Sequence, residues 1–511
     1  MMRERTALVR RRAAGRLELA DRRWLLAALL SGGILRVLVL AIGPLSGGDG
    51  TIRLVRAIDW ARAPKWEGLS GIWPPLHWYI FGSLIRLWPN PLFWSFSLGL
   101  ASELGTIYLL FRSVKHLYGD ARVAGWSAFL LAIYWTHASL VGSNFVEVYY
   151  LFFIMLAIYC ATAATTIRRA GSEWYSLGCG IAIALALLLR HEAKLVWPIF
   201  LFYLWCHAGV RSTFWFFIPS FMAFAWQLLE PLVTGQGYVQ WTSEVNEMKA
   251  LDQLLLNQSI VDALKRWILM PSATPSFVVV ALGIAGIWMR RSLWKRELFL
   301  MIFVVQVSFY FAMTVVADWN PQQRYVMLYF INLLPYAAVA MSALQTHGRL
   351  APVALILCIM LIQGAAWGST RGGAPPIGWL PVQILSPSQV ALEHWMREVG
   401  PGTRIYEIAP YALQSRGFRT VSVPWDAYLG VIRTNRTDLS ANIRYATPRE
   451  LMQLNEGKSL DLSTVDIVLT NPQAPLYEAI VRSLPLQHEN EVRDDSLHVI
   501  RLHPGALTDP G

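Results

Sequence analysis

A chain of 511 residues that is 55% hydrophobic, 13% aromatic and only 15% charged, with a mean hydropathy of +0.40, lies outside the range of soluble globular proteins and reads as a multi-pass membrane protein. Its net charge of +11 would suit a nucleic-acid partner in a soluble chain, but here the basic residues gather in short loops between apolar runs, as positive-inside topology requires, and nucleic acid is excluded. The cysteines, Cys160, Cys179, Cys206 and Cys358, lie in or beside apolar stretches and form neither a disulfide framework nor a zinc motif.

Residues 1–23 form a basic, cytoplasmic N-terminus. Arg3, Arg5, Arg10, Arg11, Arg12, Arg16, Arg22 and Arg23 hold it inside, so 24–42 crosses outward. No small-residue cleavage site follows, and the segment is retained as a first span rather than removed as a signal peptide. Asp49 then stands in a turn flanked by Gly47, Gly48 and Gly50, which leave its carboxylate uncrowded. An acid held at a membrane surface behind a first span is a functional-site candidate, and the plainer reading is a solvated loop aspartate. The next apolar piece, 74–88, is short, aromatic and broken by Pro89 and Pro91. The basic loop 111–122 belongs in the cytoplasm, which permits an odd number of crossings after Asp49. That parity makes 74–88 an interfacial or re-entrant segment and 92–111 the second span.

Further spans near 123–141, 147–166, 175–191, 194–206, 214–233, 275–290, 298–317, 325–344 and 351–368 place the remaining basic loops inside. The expected fold is thus an α-helical polytopic membrane domain over 24–370, with about 11 spans and outer loops 43–90 and 234–274. In the second of these loops, 251–269 has apolar residues at helical spacing and reads as a surface helix or lid. From 371 to 511 the composition turns soluble. Pro387 opens a helix, TRIYEIA, VDIVLT and LHVIRL read as strands, Thr447 and Glu450 form a capping box, and PLYEAIVRSL reads as a helix. This alternation implies a C-terminal extracytoplasmic α/β domain.

On that topology, polar residues collect at the outer face. Asp49 and Glu147 lie in outer turns, Arg190, His191, Glu192 and Lys194 interrupt an apolar stretch, and Gln322, Gln323, Arg324 and Tyr325 open another span. Each charge costs on the order of 3 kcal/mol at a span centre, so a chain that keeps several on one face uses them together. The plainer alternatives are that Arg190 and Glu192 pair with one another or with headgroups, that Arg324 snorkels to phosphates, and that Glu147 is an interface residue. His77 and His191 have no second ligand at metal-binding spacing. Trp73 and His77 flank a double proline and line a sugar site, or else belong to an interfacial belt with Trp60, Trp66, Trp78 and Trp88.

PPLHWY (74–79), RHEAK (190–194) and QQRYVMLYFINLLP (322–335), together with the Asp49 loop and Glu147, resemble the GT-C superfamily of membrane glycosyltransferases, nearest its protein O-mannosyltransferase and aminoarabinose transferase branch. Pro74, Pro75, Leu76 and Tyr79 match one element of the branch, and Arg324, Tyr325 and Pro335 another. Gly50 stands where the branch often has a second acid, and Ile72 and Trp73 replace a glutamate–lysine pair.

The resemblance implies inverting transfer of a sugar from a polyprenyl-phosphate donor to a lipid, glycan or protein acceptor at the extracytoplasmic membrane face. Asp49 would be the base, assisted by Glu147. Arg324, Tyr325, Arg190 and Lys194 would hold the donor phosphate, and Trp73, His77, His191, Glu192 and Gln323 would line the substrate. No cofactor is assigned. A divalent cation stays open but is not obligatory, because a phosphate-linked sugar leaves readily. A transporter or lipid flippase is the alternative, and a scaffold or receptor a third reading. Transporters commonly show repeated halves, and no internal repeat is present.

Overall fold

The computed structural model describes residues 2–42, 49–64, 74–166, 171–234, 277–292, 297–317, 323–348, 350–369, 387–408, 427–446, 450, 453–454, 456–470, 472, 477–484, 488–494 and 497–502. Trp73, Gln322, the expected lid helix 251–269 and most of the 447–450 capping box lie outside the described residues. The chain forms two compact units. The first comprises Met1–Ala41, Ser97–Leu229 and Ile260–Leu380, and the second comprises Ile42–Phe96, Glu230–Ser259 and Pro381–Gly511.

Among the described residues of the first unit, five helical stretches are long and apolar enough to cross a membrane: Asp21–Ala41, Val146–Thr166, Val210–Leu229, Leu298–Val315 and Tyr325–Thr346. Shorter apolar helices accompany them at Ala121–Ala132, Ser172–Leu187, Ala193–Ala208, Phe277–Met289 and Leu350–Leu361. We number the leading helices α1 (Met2–Ile42), α2 (Asp49–Arg62), α3 (Leu76–Leu87), α4 (Pro91–Tyr118), α5 (Ala121–Ala132), α6 (Trp135–Ala138), α7 (Val146–Thr166), α8 (Ser172–Leu187), α9 (Ala193–Ala208) and α10 (Val210–Thr234). Proline opens α4, where its missing N–H costs nothing. Gly119, at φ +70°, follows its end, and the Asp120 side chain accepts from Arg122 N at 2.7 Å to cap α5.

The span expected at 123–141 is not one helix. α5 has 12 residues and stops at Ala132; it rises about 18 Å against a hydrocarbon core of about 30 Å. Residues 133–145 then run buried as turns around α6, with only Trp135 partly exposed. Non-helical backbone at such depth must satisfy its own polar groups. Here it does so through Ala138 N to Tyr134 O (3.0 Å), Ser139 N to Trp135 O (2.8 Å), Ser143 N to Leu140 O (3.0 Å) and the Ser143 hydroxyl to Leu140 O (2.7 Å). Asn144 takes φ 56°, a conformation uncommon outside glycine. Helix α4 presses on this segment: a Cβ on Gly99 would lie 1.9 Å from the Val141 carbonyl oxygen. Gly99→Ala should therefore destabilise the protein by about 1–3 kcal/mol through overpacking, read as a lowered melting temperature in detergent.

Helices Phe277–Met289 and Leu334–His347 pack closely, with Gly286 against the Tyr336 backbone. Beside them the buried Glu297 carboxylate accepts from Arg290 Nε (2.6 Å), Tyr118 OH (2.8 Å) and Tyr336 OH (3.0 Å), and Arg290 stacks 3.8 Å over the Tyr118 ring. Replacing Glu297 by Gln should cost about 1–3 kcal/mol, because a half-buried Arg290 loses its counter-charge. An unchanged thermal midpoint would show that the cluster does not tie these helices.

In the second unit the stretch expected as an outer loop with one interfacial helix holds two helices. Asp49 opens α2 instead of standing in a free turn. An acid at a helix start is favoured there by the exposed N–H groups and the dipole. α2 packs on α3 through Trp60 and Tyr79 (ring centroids 5.4 Å apart) and also on the helix Ala427–Thr434.

The C-terminal part builds a five-stranded sheet from β1 (Ile405–Glu407), β2 (Ile443–Tyr445), β3 (Ile467–Thr470), β4 (His488–Asp494) and β5 (Leu497–Leu502), in the order β2-β1-β3-β5-β4. The first three are parallel, and β5 and β4 are antiparallel additions. Both faces are covered: Ile405, Leu469 and Val499 join one cluster with Leu392, Trp395 and Val431, while Tyr406, Val468 and Ile500 join the other with Ile480 and Leu454. Buried Glu407 accepts from Ala427 N at 3.0 Å, placing a carboxylate at a helix start.

Candidate functional site

The first unit brings four of the expected residues together. Glu147 lies in the first turn of α7, directly after the buried 133–145 segment, and is 1% exposed. Arg190 sits in the tight turn between α8 and α9, fixed by its own N–H to Ala186 O (2.9 Å) and by Ala193 N to its carbonyl (3.3 Å). Its Nη1 donates to Glu147 Oε1 at 2.6 Å, its Nε to Glu192 Oε2 at 3.1 Å, and its Nη2 to Glu192 Oε1. The guanidinium also lies 4.9 Å from the centroid of the Tyr325 ring. A fork held on one carboxylate and extended to a second has little orientational freedom.

Burial works against a charge on Glu192, and the Arg190 guanidinium outweighs it, holding the carboxyl below its ordinary range. Through these contacts Arg190 cross-links the starts of α7 and α9. The pairing of Arg190 with Glu192 that the sequence allowed is present in the structure.

Lys194, half-buried in the first turn of α9, donates its N–H to His191 O at 3.0 Å. Gln323 and Arg324 occupy the first turn of the helix Gln323–Phe330, ahead of Tyr325. In the second unit His77 is buried in α3, stacked on Phe81 at 4.6 Å. Among the described residues no group of three His, Cys, Asp or Glu side chains has the geometry of a metal site.

Sequence reading missed Tyr310, whose hydroxyl donates to Glu192 Oε1 at 3.3 Å and whose ring lies 6.4 Å from that of Tyr325. A tyrosine inside an apolar span carries no signal of its own. Arg36, Glu103 and His137 were also missed, although charged groups inside the expected spans 24–42 and 92–111 were visible.

No family model matches the sequence and no curated protein aligns with it. Solved structures do. ArnT from Cupriavidus metallidurans, bound to undecaprenyl phosphate, superposes with a TM-score of 0.56 at 12% identity over 93% of this chain and 97% of its own. The fold is the GT-C fold.

The archaeal oligosaccharyltransferase AglB from Archaeoglobus fulgidus, in complex with an inhibitory peptide and a dolichol-phosphate, has the GT-C fold too and matches with a TM-score of 0.50 at 12% identity, over 90% of this chain and 71% of that one. The arabinofuranosyltransferase AftD from Mycobacteria gives 0.51 at 14% identity, over 94% of this chain and 41% of its own. With its apolar helices, the GT-C fold makes this an integral, multi-pass membrane protein.

Proposed function

We propose that the protein is a membrane glycosyltransferase that moves one sugar from a polyprenyl-phosphate donor to a lipid, glycan or protein acceptor on the extracytoplasmic side, with inversion. The observation that carries this reading is the fold shared along nearly the whole of both chains with ArnT, whose solved form holds undecaprenyl phosphate. In this reading Asp49 accepts the proton of the acceptor hydroxyl as its oxygen attacks the anomeric carbon. The bond from that carbon to the phosphate oxygen breaks, and the lipid phosphate departs with the electron pair. Arg324, with Arg190 and Lys194, meets the charge that develops on it. Glu147 and Glu192 act by fixing Arg190, and the Tyr325 ring packs against that guanidinium. The residues 371–511 serve acceptor recognition or packing.

The test is turnover. Purified protein in lipid nanodiscs, given undecaprenyl-phosphate-linked pentoses and hexoses with an envelope extract as acceptor, should release undecaprenyl phosphate. Release from none of them overturns the reading. Arg324→Ala should weaken undecaprenyl phosphate binding about tenfold to a hundredfold, the worth of one charge-assisted hydrogen bond. An unaltered affinity would remove Arg324 from the phosphate site.

A further inference from the structure

Arg36, in the apolar part of α1, is fully buried, and its guanidinium joins three other elements. Nε meets Glu103 Oε2 of α4 at 2.5 Å. Nη1 donates to Gly32 O (3.0 Å) on its own helix and to Ala132 O (2.9 Å), the last residue of α5. Nη2 lies 2.6 Å from His137 Nδ1 in α6. Arginine only donates, so His137 Nδ1 accepts and the imidazole is neutral with its proton on Nε2. One side chain thus satisfies a carbonyl that α5 leaves orphaned where it stops short, and grips the turn that follows.

Packing alone does not require a buried ion pair here. Well-packed apolar residues of similar volume do as well or better, and the best-attested use of such a pair is to select one arrangement among several. The arrangement selected is the 133–145 segment, further held by the close approach of Gly99 to Val141 and containing Asn144 at φ 56°, three residues before Glu147. Backbone held in a sparsely populated conformation persists only where its surroundings over-determine it.

We propose that Arg36, with Glu103 and His137, is a positioning device that sets the buried 133–145 turn and through it the carboxylate of Glu147 against Arg190. The turn-setting part stands on the contacts above; its consequence for sugar transfer rests on the function proposed here.

The test separates bracing from charge burial, using the full chain in nanodiscs. The double variant Arg36→Met/Glu103→Leu leaves no buried charge unpaired and should melt within a few degrees of wild type. Its backbone amides at 139–145 should exchange with deuterium about tenfold faster while α7 and α8 keep their protection. Its kcat for a lipid-linked sugar should fall about tenfold or more with KM unchanged, the signature of a misplaced group rather than lost binding. His137→Leu keeps the ion pair, removes only the grip on α6, and should also speed exchange at 139–145. Wild-type exchange in that segment for both variants overturns the proposal, as does wild-type turnover in the double variant. Faster exchange in a protein whose wild type turns over no lipid-linked sugar supports the turn-setting device and overturns the proposed function instead.

Discussion

Arg190→Ala should lower stability by about 3–5 kcal/mol, the usual consequence of removing one partner from a buried ion pair and stranding the rest. The buried Glu147 carboxylate and the half-buried Glu192 carboxylate would lose their shared cation, and the starts of α7 and α9 would lose their cross-link. The melting temperature in detergent reads the loss, and an unchanged midpoint would show that the contacts carry no weight. Arg190→Lys separates charge from geometry. It restores a cation but not the fork that engages Glu192 through Nε and Nη2, so it should recover much of the stability and little of the turnover. The acid limb follows from Glu192. Its carboxyl is held below its unfolded-state value, so its contribution is complete above the ordinary carboxylate range and is lost as pH falls through the lowered value. Stability from the pair should therefore be flat from neutral pH down to about 5, and Glu192→Gln should remove the pH dependence below that.

Asp49→Asn should reduce turnover by about 10² to 10⁴, the span expected for loss of a general base, with the melting temperature and undecaprenyl phosphate affinity retained. Asparagine keeps the shape and the helix-start preference of aspartate while giving up the ability to take a proton. Turnover near the wild-type rate would move the base elsewhere. Glu147→Gln is the matching control. If Glu147 only orients Arg190, its loss should lower stability together with rate, whereas Asp49→Asn should change rate alone.

Much of the Arg190 cluster was legible because charge is expensive in apolar surroundings. Glu147 and the RHEAK run stand out against their neighbours, and the structure brings Glu147, Arg190 and Glu192 into contact. The same signal was present at Arg36 and Glu103. There the apolar runs around them were read as uninterrupted spans, and residues that meet across 67 or more positions of sequence have no local pattern to join them. The early end of α5 was not legible either. Residues 123–141 contain no Asp, Glu, Lys or Arg and no Pro to mark a break, and the contacts at the end of the helix are tertiary: the Gly99 contact and the Arg36 grip on Ala132. In the C-terminal part, β1, β3 and β5 declared themselves as apolar runs. β4, with the sequence HENEVRD, was missed because an edge strand has one side unpaired and tolerates charge. The start of α2 at Asp49 was hidden by its glycines, which suggested a turn where a helix begins.

The buried carboxylate of Glu297 bears on how much this bundle can rearrange. It fastens Tyr118, Arg290 and Tyr336, which belong to separate helical segments, into one knot. An alternating-access carrier rocks one half of its bundle past the other. Any such rocking that parts these three residues would strand a buried anion, at a cost of about 3–5 kcal/mol. The segments that carry these residues are therefore coupled, and a rearrangement that keeps Glu297 paired must move them together.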